Sequence, residues 1–137
     1  MKMMVTAAVA ALGFLAPAAA FAQKKAPAIS GAYVGPGQGC EEVFVFRKGK
    51  ASFKEPRNAF GSAFLVQGGS LRTAMASCRI GRRSSDPNGV TTLDLNCTNT
   101  MSSSGMKAYF RTRQDGSLMR LSGPNETSGD SYHQCAP

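Results

Sequence analysis

The chain of 137 residues has a single histidine, His133, and only eight acidic residues against sixteen basic ones. That lone imidazole would have to serve as general base in any Ser-His or Cys-His mechanism, and no Gly-x-Ser-x-Gly elbow presents a serine. Asp94, Glu126 and Asp130 show no spacing that favours the paired carboxylates of glycoside hydrolysis. None of the cysteines is spaced Cys-x-x-Cys, and one histidine supplies only one imidazole, which argues against a structural zinc site. No window of a dozen residues carries a helical apolar stripe, so a helical domain is excluded, although a helical turn fits around Ser102 to Gly105. These absences point to a protein that binds rather than catalyses, with no cofactor. His133, two residues before Cys135, is expected to be a partly buried, hydrogen-bonded structural residue.

What is present begins with an export signal. Lys2 gives a positive start, Met3 to Ala16 an apolar stretch, and Ala20-Phe21-Ala22 a small-x-small cleavage site, so residues 1–22 read as a signal peptide cut before Gln23. Cleavage after Ala20 and retention as an uncleaved anchor are the alternatives. No cysteine follows the cleavage site to carry a lipid. Residues 23–30 read as a flexible leader, and 31–137 as one domain, since the remaining length suits one core and not two. No membrane anchor is expected after cleavage. The protein is expected in the periplasm or secreted, as a monomer.

The domain reads as strands separated by turns, with 15 glycines punctuating short runs of alternating polarity. In a two-residue hairpin the turn fixes which residues face each other. A turn at Lys48-Gly49 pairs Phe44 with Phe53 and Phe46 with Ala51, and one at Gly68-Gly69 pairs Val66 with Leu71 and Phe64 with Thr73. A turn at Asp115-Gly116 pairs Phe110 with Leu121, Thr112 with Met119 and Arg111 with Arg120. A turn between Pro87 and Asn88 sets Cys78 opposite Cys97. Proline favours a type I turn with a bulge at the next glycine, so that last register needs a second, compensating bulge at Gly81.

Each hairpin has one mainly apolar face, and about eight such strands close most simply into a small antiparallel up-and-down β-barrel, with a two-sheet β-sandwich as the alternative. In an oxidising compartment the four cysteines form two disulfides. The expected pairing is nested, Cys78 with Cys97 and Cys40 with Cys135. Sequential (Cys40 with Cys78, Cys97 with Cys135) and crossed pairings are the alternatives. On the chain-entropy account the short bridge is worth about 3 kcal/mol and the long one about 4.5 kcal/mol. Phe44, Phe46, Phe53, Phe64 and Phe110 are expected to fill the core, with a cavity for a small apolar ligand as the alternative.

The loop Gly35-Pro36-Gly37-Gln38-Gly39 has the density of a phosphate cradle. Cys40 stands where the dinucleotide fingerprint needs a third glycine, and Glu41 to Arg47 alternates as a strand, so the loop reads as a flexible turn delivering Cys40 to its partner. Asn96-Cys97-Thr98 and Asn125-Glu126-Thr127 match the glycosylation pattern but are incidental behind a bacterial-looking signal. The basic residues are the stronger functional lead. Lys107, Arg111, Arg113 and Arg120, with Tyr109 between them, fall on the outward face of one predicted hairpin, and Arg79, Arg82 and Arg83 flank a nearby turn. Directly opposed arginines call for a counter-charge. The expected partner is an anionic envelope component (lipid, lipopolysaccharide or peptidoglycan) or an acidic protein, and not nucleic acid, for which Tyr109 alone gives too few stacking platforms.

The stretch from Ser30 to Phe53, followed by Ala76-Ser77-Cys78-Arg79-Ile80, Leu93-Asp94-Leu95-Asn96-Cys97 and the terminal Tyr132-His133-Gln134-Cys135, resembles small exported proteobacterial proteins of unassigned function. In architecture the chain is similar to small calycin-type barrels and to periplasmic lysozyme inhibitors, with Ser30-Gly31-Ala32-Tyr33 resembling the inhibitors' Ser-Gly loop. The inhibitor resemblance implies inhibition of a hydrolase and assigns no residue here.

Overall fold

A computed structural model describes residues 28–136. The expected signal peptide and residues 23–27 of the expected leader lie outside the described residues. Ten strands and one helical turn follow in order: β1 (Gly31–Val34), α1 (Cys40–Val43), β2 (Phe44–Arg47), β3 (Lys50–Phe53), β4 (Phe64–Gln67), β5 (Ser70–Thr73), β6 (Ser77–Ser85), β7 (Val90–Thr98), β8 (Ser103–Thr112), β9 (Leu118–Leu121) and β10 (Asp130–Cys135). Eight strands close into an antiparallel barrel in the order β1-β10-β9-β8-β7-β6-β5-β4, and β2-β3 forms a separate hairpin. The architecture is therefore all-β and barrel-closed, as the alternating apolar pattern predicts, rather than a sandwich.

The hairpin registers test the turn chemistry individually. Phe44 faces Phe53 and Phe46 faces Ala51, around a Lys48-Gly49 turn in which both residues take positive φ. Val66 faces Leu71 and Phe64 faces Thr73. At the third turn, Asp86 and Val90 flank a three-residue loop, with the Asp86 amide donating to Val90 O at 2.9 Å and Gly89 at φ +80. The extra residue shifts the register by one, so that Ser85 faces Thr91. A bulge between Ile80 and Arg83 shifts it back, and Cys78 faces Cys97. Both bulges expected from Pro87 and Gly81 are present.

The fourth turn differs from expectation. The Arg113 amide donates to Ser117 O at 2.8 Å and Gly116 takes φ +84, so the loop has three residues rather than two. Asp115 drives this choice: its Oδ1 accepts from the Ser117 amide at 2.9 Å and from Ser117 Oγ at 2.6 Å, the bonding of a type I turn followed by a glycine bulge. Phe110 therefore faces Arg120, and Arg111 faces Met119. The expected Arg111–Arg120 opposition does not occur.

Two apolar cores result, one on each side of the barrel wall. Inside, Phe64 is the hub, with ring centroids 5.0 Å from Tyr33, 5.5 Å from Phe110 and 5.0 Å from Tyr132. Outside, Phe44 and Ala51 of the hairpin pack on Ala32, Val34 and Leu65. β1 and β4 are thus covered on both faces, which is why Ala32-Tyr33-Val34 and Phe64-Leu65-Val66 are unbroken buried runs. This corrects the expected core: Phe44, Phe46 and Phe53 belong to the outer cluster and leave the barrel interior to Phe64 and Phe110.

Cys40–Cys135, with Cα atoms 5.6 Å apart, staples the start of the hairpin segment to β10, and Cys78–Cys97 bridges β6 to β7 inside the barrel. The nested pairing holds. Residues 40–43 form a helical turn, not the start of a strand, and the Gly39 amide donates to Glu42 Oε2 at 3.4 Å. With Glu41 and Glu42 in that first turn, the glycine loop before it is a poor phosphate cradle. Gly37, at φ +77, makes the reversal that brings Cys40 back over the wall. His133 is exposed on the outer face opposite Val34, because the alternation that buries Tyr132 inside turns His133 out. It is not the partly buried residue expected.

Candidate functional site at the open end of the barrel

The two ends of the barrel are built differently. At the end holding the turns 68–69, 86–89 and 113–116, Ile29 is buried in the interior core at 3% exposure. The last part of the expected leader is therefore part of the fold. Arg83, which the bulge turns to the side of Leu93, fastens this end: its Nη1 donates to Ile29 O at 3.3 Å and its Nη2 to Gly68 O at 2.8 Å. Tyr33 Oη donates to Ser30 O at 3.0 Å, and burial pushes the Tyr33 phenol above its ordinary value, so it stays a neutral donor.

The opposite end, beneath the loops 54–63, 74–76 and 99–102, is open. A cavity of about 420 Å³ descends from it to Phe64, Leu95, Phe110 and Tyr132. It exists because inward positions near this end carry small side chains: Thr73, Ala76, Ser104 and Ala108 line it together with the Cys78–Cys97 bond. The phenylalanines that could have filled it are in the outer core.

Exposed apolar side chains stand at this end, two of them, Met75 and Met106, in the cavity lining. Phe60 is 99% exposed, Met101 92%, Met75 60% and Met106 43%. Three of the four sit on loops with a common construction. A side-chain oxygen two residues earlier accepts the backbone amide of the apolar residue: Asn58 Oδ1 from Phe60 (3.0 Å), Thr73 Oγ1 from Met75 (3.3 Å) and Asn99 Oδ1 from Met101 (2.8 Å). These turns fix the backbone while leaving the apolar side chain in solvent. The recurring Asn/Thr-x-apolar triplet is a sequence signal for the rim, visible only once the loops are known to share one end.

The basic residues grouped by sequence are distributed over five places. Lys107 and Arg111 share the outer face of β8 with Tyr109, opposite Asp94, Val90 and Thr92 respectively. Lys107 Nζ lies 2.7 Å from Asp94 Oδ1, and this hydrogen bond and charge hold its ammonium above the ordinary lysine value. Arg82, in the bulge, adds an opposing positive charge near Lys107. Arg113 lies exposed at the β8–β9 turn. Arg79 lines a separate depression of about 420 Å³ on the outer wall, among the polar side chains of Ser70, Ser77, Asn96 and Thr98. Arg83 is committed to the closed end. Arg120, through the register change, faces inward and lines the mouth.

Among the described residues, no group of three or more histidine, cysteine or acidic side chains could hold a metal ion. No helix of the described residues is long and apolar enough to cross a membrane. The two disulfides fit an oxidising, non-cytoplasmic location. Comparison of the chain with protein-family models, with curated proteins and with solved structures finds no match.

Proposed function

We propose that the protein is an exported, disulfide-stabilised carrier that binds a small apolar ligand in the open half of its barrel, in the periplasm or after secretion. The observation that carries this reading is the 420 Å³ cavity, mainly apolar in lining and open at the end where Phe60, Met75 and Met101 stand in solvent. Its volume falls within the range of about 300–1,000 Å³ common for small-molecule sites. Exposed apolar side chains gathered at one open end support contact with a ligand there. Two disulfides and the fastened far end keep the cavity walls in place, which lowers the entropy lost on binding.

A neutral polarity-sensitive dye such as N-phenyl-1-naphthylamine provides the test. Its fluorescence is expected to rise with saturable, one-to-one binding. Ala76→Trp, which places an indole at the mouth without touching the aromatic floor, is expected to weaken the dye by about tenfold or more while the thermal transition stays in place. Absence of saturable binding to the unmodified protein would refute the carrier reading.

A further inference from the structure

The cavity lining contains one charged side chain, Arg120. On β9 the inward positions are Leu118, at the barrel core, and Arg120, one step nearer the opening. Across the sheet Arg120 is flanked by Phe110 on β8 and Asp130 on β10. Asp130 lies directly opposite Arg120 in register without closing an ion pair on it, the ion pairs among the described residues being Arg57–Glu55 and Lys107–Asp94. A permanently charged guanidinium with free donors therefore stands at the boundary between an apolar interior and water.

We propose that the ligand is a single-chain amphiphile with an anionic head, its chain in the cavity and its carboxylate or phosphate on Arg120. The inference rests on the carrier reading above and adds the ligand class. An anionic head gains a charge-assisted, bidentate contact with this exposed guanidinium that an uncharged ligand cannot make. The geometry also sets the order of the two parts. On β9 and β10 the buried Leu118 and Tyr132 lie one inward step farther from the opening than the exposed Arg120 and Asp130, so the chain enters first and the head stops at the rim. The volume of about 420 Å³ is small for a ligand cavity, which favours one chain over a two-chain lipid.

Displacement of bound N-phenyl-1-naphthylamine by dodecanoate, dodecyl phosphate and 1-dodecanol, each below its aggregation concentration, separates the possibilities. At least one anionic amphiphile is expected to bind about tenfold or more tightly than the alcohol, and the two anions identify the head. Arg120→Gln is expected to bring the ratio of anion to alcohol affinity down to about one, and Arg120→Lys to restore part of that ratio. Acetate and inorganic phosphate are expected to displace nothing, and displacement by either would assign Arg120 to a free anion and overturn the amphiphile. If dye and alcohol bind but the anions hold no advantage, or if Arg120→Gln leaves that advantage intact, the inference fails and the carrier reading stands. If the dye does not bind at all, both fail.

Discussion

Asp115 decides the geometry of a whole hairpin through two short hydrogen bonds. By accepting from the amide and hydroxyl of Ser117 it selects a three-residue loop, and every residue downstream on β9 moves to the opposite face. The same bonds hold the Asp115 carboxyl below its ordinary value of 3.8. A carboxyl with a depressed folded-state value stabilises the fold fully above that ordinary value and loses the contribution as pH falls through the lower one. The loop's contribution is therefore present at neutral pH and disappears in acid below about pH 4. An NMR titration of Ser117→Ala is expected to show the Asp115 carboxyl moving up towards its ordinary value, and an unchanged titration would remove Ser117 as the cause. Asp-Gly in the sequence is equally compatible with a two-residue turn, and the hydroxyl two residues after the aspartate is the feature that tips it.

At the scale of elements, the β2–β3 hairpin is an appendage held by one covalent bond and a patch of outer core. Cys40–Cys135 closes a sequence separation of 95, so its loss releases much denatured-state entropy, worth about 4–5 kcal/mol on the chain-entropy account. The double variant Cys40→Ala/Cys135→Ala is expected to unfold at lower urea concentration. In native conditions it is expected to show faster amide exchange in residues 44–53 than in β6 to β8. Uniform exchange across both regions would mean that hairpin and barrel open as one unit. Pairing within elements was the most legible part of the sequence. Lys48-Gly49 and Gly68-Gly69 dictate register through local backbone preferences alone, and Cys78 facing Cys97 follows from Pro87 and Gly81 by counting. The hairpin's destination was not legible, since an apolar strand face looks the same whether it lines a barrel or lies against its wall.

That ambiguity governs the whole molecule, because the destination of three phenylalanines determines whether the barrel has room inside. With Phe44, Phe46 and Phe53 on the outer wall, the interior near the mouth is left to alanine, serine and threonine, and a filled core becomes a half-filled one. Charge marks Arg120 in the sequence while a two-residue turn would put it on the outer face, and nothing local marks Phe60, Met75 and Met101, which lie on three separate loops brought to one end only by the fold. The division of labour between the cores has a measurable consequence. Phe44→Ala, at a site 3% exposed, is expected to cost about 3 kcal/mol of stability and to leave dye affinity at the mouth unchanged. A parallel loss of dye affinity would mean that the outer core shapes the cavity after all.

The barrel is completed by β10, which pairs with β1 on one side and β9 on the other and carries Cys135. The strand that seals the wall is thus the last of the ten in chain order. Until it arrives, β1 and β9 remain open edges, and the thiol of Cys40 has no mate. A chain cut short before residue 130 would expose both edges at once, so the wall closes only when β10 is in place. Closure of the barrel therefore depends on delivery of one six-residue strand, the last of those described in chain order.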